Sequence, residues 1–194
     1  MTINIYRNAF PLSDVQISKV KEFAKKGRAI FNPDRRRIQR TITKKYAIYK
    51  QVAECMKNIN LLNGRKLGGI VALHSKSNCA QQKMHYDYDP ATLEKCEVLP
   101  LGVILALESN TKFKTPYREY NLSKGDVLTF SGDTIHCGSH YKKENTRLHV
   151  YLDIPDVKRT PGLTWFPNFS KETSDRPQRN SRQKNNKTHG TSQK

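Results

Sequence analysis

Hydrophobic positions recur along this chain with two different periods, and the change from one to the other divides it. Val15, Ile17, Val20 and Phe23 form an apolar stripe at helical spacing within "SDVQISKVKEFAKKG". Ser13 and Gln16 stand at capping-box spacing and Gly27 ends the run, which predicts a helix over 13–26. Tyr46, Tyr49, Val52, Ala53 and Met56 recur in the same way and predict a second helix over 43–60, so two helices are expected before the first strand. From residue 66 the segments shorten. Residues 66–75, 82–88, 101–109, 112–121, 126–132, 134–140 and 147–154 read as β-rich runs between turn residues. Short strands in series, without intervening helices, predict a sandwich or barrel rather than a parallel α/β sheet. Beyond Phe169 nothing apolar anchors the chain, so 171–194 reads as a basic disordered tail. The rest, 1–170, reads as one domain with a helical part over 1–64 and a β core over 65–170.

Composition narrows the setting. With 194 residues and 36% hydrophobic content, the chain is long enough to bury a core. It contains no run of about 18 apolar residues to span a bilayer, and "MTINIYRNAF" lacks the pattern of a secretory signal. Cys55, Cys79, Cys96 and Cys137 are far apart with no CxxC, which argues against a zinc knuckle or a disulfide framework. A reducing, intracellular setting is the expectation. Charge changes the picture more: 35 Lys+Arg oppose 17 Asp+Glu, for a net +18. Seven Lys/Arg and two acids lie in 171–194, which leaves +13 on the first 170 residues. Such a body favours anionic partners: nucleic acid, an acidic protein or a phosphorylated metabolite. The run Arg35, Arg36, Arg37 and Arg40 reads either as a solvated face or as a recruiter of such a substrate, which makes Arg37 and Arg40 candidate contacts.

The candidate chemistry sits in the β-rich half. In "MHYDY", His85 and Asp87 are two apart and share one side of a strand, with Tyr86 and Tyr88 on the other. Alone, the pair is either a wet face or two metal ligands. Downstream, "GDTIHCGSHYKKENTRLHVYLDI" supplies His136 and His140, which compete as a third ligand. Two histidines and a carboxylate would form a facial triad on Fe(II), leaving positions open for a co-substrate and O₂. Arg147 opens an apolar strand that otherwise has little use for a cation, and a carboxylate clasped by its planar fork is the natural partner. His149 shares its strand face, either as a hydrogen-bonding neighbour of that carboxylate or as a core histidine.

This order, His-x-Asp, a distal His and an Arg eleven residues later, resembles the Fe(II)/2-oxoglutarate-dependent oxygenases. The resemblance covers about residues 66–154 and implies a double-stranded β-helix (jelly roll) preceded by helices. Within that superfamily, "HCGSHYKKENTR" is most similar to the phytanoyl-CoA-hydroxylase-like group. The resemblance implies that His85, Asp87 and His136 bind iron, and that Arg147 holds the far carboxylate of 2-oxoglutarate. Gln82, Tyr117 and His149 become candidates for co-substrate contact, and His140 for substrate contact. Departures are informative. The AlkB-type nucleic acid demethylases carry a second Arg where this chain has Asp153, collagen-type prolyl hydroxylases carry Lys in place of Arg147, and halogenating relatives lack the carboxylate of Asp87. The expected activity is hydroxylation of a C–H bond in a small-molecule or anionic macromolecular substrate. A nucleic-acid-modifying oxygenase and a non-catalytic jelly-roll binding protein are the alternatives.

Overall fold

The computed structural model describes residues 2–30, 34–157, 159 and 163–167; the tail expected over 171–194 lies outside the described residues. Helix α1 spans Asp14–Lys25 as the periodicity predicts, and the capping box forms: Gln16 N donates to Ser13 Oγ at 3.3 Å and Ser13 N donates to Gln16 Oε1 at 2.9 Å. Helix α2 spans Ala47–Asn58 and starts later than predicted, because Tyr46 N donates to Thr43 O at 3.1 Å and closes a turn first.

The expectation that both helices precede the strands is corrected. Strand β1 (Ile3–Tyr6) comes before α1, and β2 (Arg28–Ala29) and β3 (Arg37–Ile42) lie between the helices. There follow β4 (Lys66–Ser75), a short helix α3 (Pro90–Leu93), β5 (Leu101–Ala106), β6 (Thr111–Lys114), β7 (Glu119–Leu122), β8 (Val127–Ser131) and β9 (Asn145–Asp153). An antiparallel sheet runs β1-β8-β5-β9-β4-β3-β2, while β6 and β7 form a separate hairpin. The predicted strands 82–88 and 134–140 are not regular strands. They meet through isolated bridges, Cys79↔Tyr141 and His85↔His136, and Lys114↔Cys137 ties them to β6. Between the Gln82 N–Gly138 O bond and the reciprocal His85–His136 bonds the pairing slips by a residue, which breaks the ladder. These segments and the β6-β7 hairpin form a second layer facing the large sheet.

Register assigns each face of that sheet. Ile38, Arg40 and Ile42 of β3 lie beside His74, Ala72 and Ile70 of β4, and Ala72 and Ile70 lie beside Leu148 and Val150 of β9. This face meets Ile17, Val20 and Ala24 of α1 and Val52, Cys55 and Met56 of α2 in the main core. Burying each large aliphatic there contributes about 1.5–3 kcal/mol. With that face committed to the helices, the strand period turns Arg37, Gln39, Leu73, Ser75, Arg147, His149 and Tyr151 toward the second layer. Gly102, beside Tyr151 on the interior face, lets the Phe130 ring cross it: a Cβ at Gly102 would stand 2.1 Å from Phe130 Cζ. The interior is thus filled with aromatics at one end and left polar at the other.

Candidate metal centre and anion pocket

His85 and Asp87 come from one irregular segment of the second layer and His136 from its neighbour, and their candidate ligand atoms all lie within 4.8 Å of one another. The backbone sets the histidine tautomers. His85 Nδ1 lies 2.9 Å from Lys83 O and His136 Nδ1 lies 2.9 Å from Thr134 O. A carbonyl only accepts, so each Nδ1 carries a proton, and in the neutral ring each Nε2 keeps a lone pair. The His136 ring is held between aromatics, with centroids 5.2 Å from Phe113 and 4.6 Å from Phe130. Asp87 Oδ2 is 3.3 Å from both His136 Nε2 and His149 Nε2. Even so, Asp87 Oδ2 and His149 Nε2 are buried without a well-formed hydrogen bond.

A buried carboxylate oxygen without a donor is costly. Burial alone would raise the Asp87 carboxyl, but the His136 and His149 rings beside it hold it well below the usual carboxylate range. Burial, then the neighbouring His136, pushes His85 down to about 4. For His136 burial pulls downward, but Asp87 prevails and raises it. Near neutral pH the cluster therefore offers an ionised carboxylate, a neutral His85 and an unsatisfied carboxylate oxygen in a dry setting. That donor set fits a divalent cation such as Fe(II).

Arg147 lines the same cavity of about 150 Å³ as His85, Asp87, His136 and His149, and is itself 2% exposed. Its Nη1 donates to Ser75 Oγ at 3.2 Å, and its guanidinium carbon stands 5.3 Å from the Tyr141 ring centroid. Among the described residues no carboxylate forms an ion pair with it. Gln82 also lines the cavity, with its Oε1 accepting from Gly138 N at 3.1 Å. His149 places Nδ1 3.2 Å from Tyr151 Oη.

Four expectations change. Tyr117 is 89% exposed and does not line the cavity: the run 112–121 is folded into the β6-β7 hairpin, whose turn is closed by Thr115 N donating to Arg118 O. His140 is exposed and outside the ligand cluster, which contains His136 instead. Arg40 faces the helices, donating to Phe23 O at 3.3 Å with its guanidinium 4.1 Å from the Phe23 ring centroid. Arg37 belongs to a strand rather than a solvated basic face; it is fully buried and lies behind the cavity, not on its lining. Tyr86 and Tyr88 stay off the cavity lining, as their strand phase requires; Tyr88 packs with Leu93 and Ile154. Trp165 pairs with Tyr86, and Phe166 stands at the cavity mouth, 56% exposed. Ser75, Tyr141, Lys83 and Arg159 were not singled out by the sequence; the alternation of β4 was the available signal for Ser75.

No family model and no curated protein matches the sequence. Solved structures do. HygX from Streptomyces hygroscopicus, with nickel and 2-oxoglutarate bound, aligns at TM-score 0.60 and 7% identity over 81% of this chain and 84% of that one. The viral collagen prolyl hydroxylase vCPH from Paramecium Bursaria Chlorella virus-1, in a 2OG complex, aligns at TM-score 0.58 and 13% identity over 79% of this chain and 97% of that one. A Pseudomonas putida prolyl-4-hydroxylase aligns at TM-score 0.54 and 11% identity over 81% and 93%. At such identities the likeness is one of fold: this chain is a mostly β double-stranded β-helix with flanking helices.

Proposed function

We propose that this protein is an Fe(II)/2-oxoglutarate-dependent dioxygenase that hydroxylates a C–H bond of an anionic substrate. One observation carries the reading. A compact His85–Asp87–His136 set with an unpartnered carboxylate oxygen shares a small cavity with a buried Arg147 that has no acid partner among the described residues. A metal ion would answer the first deficit, and the far carboxylate of a keto diacid the second. His85, Asp87 and His136 would hold the metal, His149 would pack beside it, and Arg147 would orient the co-substrate, with Gln82 on the adjoining wall. The bound metal would supply activation of O₂, one atom of which enters succinate as CO₂ leaves 2-oxoglutarate, while the other converts C–H to C–OH. The walls, Phe113 and Phe130 among them, would exclude water. HygX and the viral hydroxylase, solved with 2-oxoglutarate, support the reading by shared fold, and "HCGSHYKKENTR" supports a phytanoyl-CoA-hydroxylase-like affinity within it.

The mouth favours an anion, because Lys83 and Arg159 line it together with the exposed Phe166, while Lys112, which also lines it, is paired with Glu119 at 3.0 Å. A second reading rests on the same rim and the net charge of +18: nucleic acid as the substrate, with a base stacked on Phe166. A steep fall of oligonucleotide binding with salt would separate it from a small-molecule substrate. The central test is anaerobic titration of Fe(II) and 2-oxoglutarate into wild type and His85→Ala, following the visible charge-transfer band. A band in wild type that is lost in the variant is expected; no band in either would sink the reading and leave a non-catalytic binding protein.

A further inference from the structure

The cavity's anion-binding end contains more positive charge than a single carboxylate requires, and the extra charge belongs to Arg37. Arg37 is 0% exposed, yet among the described residues it has no acid partner. Its Nη1 donates to Ser75 Oγ at 2.7 Å, the same oxygen that Arg147 Nη1 approaches at 3.2 Å. Its Nη2 donates to Ser139 O at 2.9 Å and Ala80 O at 3.3 Å, carbonyls of the two second-layer segments that also supply His85, Asp87 and His136. Both guanidiniums stand near the Tyr141 ring, at 5.9 Å and 5.3 Å from its centroid. The fold makes room for this: a Cβ at Gly138 would lie 2.7 Å from Arg37 Cζ. Burial, then Arg147, holds the Arg37 guanidinium down at about 10, still protonated at neutral pH.

We infer that Arg37, acting through Ser75, is a positioning residue that fixes Arg147 and makes the site selective for a co-substrate with a second carboxylate. The reasoning is geometric and electrostatic. Ser75 Oγ accepts from two cations, so Arg147, which lines the cavity, is held against a hydroxyl that Arg37 in turn pins to β3. Two buried cations with no acid partner among the described residues repel each other, and an anion placed against Arg147 would relieve that repulsion. Arg37 also joins both second-layer segments to the large sheet, so the metal end and the carboxylate end keep a fixed separation. The inference rests on the proposed 2-oxoglutarate chemistry.

The test compares 2-oxoglutarate with 2-oxopentanoate, which has the same length and the same chelating end but no far carboxylate. Each acid is titrated anaerobically into Fe(II)-loaded wild type, Ser75→Ala, Ser75→Thr and Arg37→Gln, with the charge-transfer band as the readout. Ser75→Ala and Arg37→Gln should weaken 2-oxoglutarate by about 10-fold or more while leaving 2-oxopentanoate nearly unchanged, and Ser75→Thr should restore the preference. Equal weakening of both acids, or an unchanged ratio, overturns the inference. Ser75→Ala removes a single oxygen and decides the matter even where Arg37→Gln does not fold. A wild type that shows no band with 2-oxoglutarate defeats the proposed function instead, so the two failures are distinguishable.

Discussion

Replacing Arg147 with Met should change stability and ligand affinity in opposite directions. Arg147 and Arg37 place nitrogens 3.2 Å and 2.7 Å from one Ser75 oxygen, so these two nitrogens are at most about 6 Å apart. At an effective dielectric constant of about 20, two unit charges at that separation repel by roughly 2–3 kcal/mol. Arg147→Met removes the repulsion at similar side-chain volume and forfeits a hydrogen bond to Ser75 of about 1 kcal/mol. The ligand-free variant should therefore be as stable as wild type or up to about 2 kcal/mol more stable, at roughly 2–4 °C of Tm per kcal/mol for a chain of this size. Charge-assisted bonds to a carboxylate contribute about 1.5–3 kcal/mol each, so 2-oxoglutarate should bind between about 10-fold and 1,000-fold more weakly. Scanning calorimetry of the Mn(II)-loaded protein with and without 2-oxoglutarate reads both quantities, and the rise in Tm that 2-oxoglutarate adds should shrink markedly in the variant. If ligand-free Arg147→Met melts several degrees lower and keeps its 2-oxoglutarate response, Arg147 is a structural cation and the anion pocket is misassigned.

Three further outcomes follow from single contacts. His136→Ala should abolish Fe(II) binding measured by anaerobic dialysis, whereas His140→Ala, at an exposed position outside the cluster, should leave it within about twofold of wild type. Gly138→Ala drives a Cβ to 2.4 Å from Gln82 Oε1 and 2.7 Å from Arg37 Cζ, and should cost about 1–3 kcal/mol in urea unfolding; unchanged stability would mean the segment shifts freely. His74 is held below its ordinary value by burial, with Glu144 opposing and Lys21 and Lys25 adding to the effect. The unfolded chain therefore takes up that proton first, and stability should fall as pH drops through about 6.5. His74→Gln should flatten that part of the stability–pH curve, and an unchanged slope would refute the assignment.

Legibility followed the backbone. Helix α1 was readable because its cap, its stripe and its stop agree within 13–27, and β4 was readable at both ends because Lys66–Ser75 is a continuous β-rich run flanked by polar residues. His85 and Asp87 were readable as a pair because two-residue spacing survives even where the ladder is reduced to isolated bridges. The partners of that pair were a different matter. His149 reaches Asp87 only because β9 crosses the middle of the sheet, and Tyr117 fell away because a turn at 115–118 reverses the chain. Neither fact is written in local spacing.

The arginine run shows why phase matters more than composition. "RRRIQRTI" reads as a charged, solvated stretch when its cations are counted, yet Ile42 joins the helix-facing core and Ile38, four residues before it on the same face of β3, is buried. That commitment leaves no freedom: Arg40, in phase with the isoleucines, lies along α1, and Arg37, out of phase with them, turns into the interior. Two arginines three residues apart thus have unlike environments, one stacked on Phe23 and the other sharing a hydroxyl with Arg147. A buried guanidinium is expensive, and among the described residues Arg37 has neutral hydrogen-bond acceptors but no acid to offset that cost. The place where an offset is possible is the cavity end at Arg147, where an arriving carboxylate would serve both cations. Under the proposed chemistry, the attraction that a bound carboxylate would supply to these cations is also what would select a diacid over a monoacid.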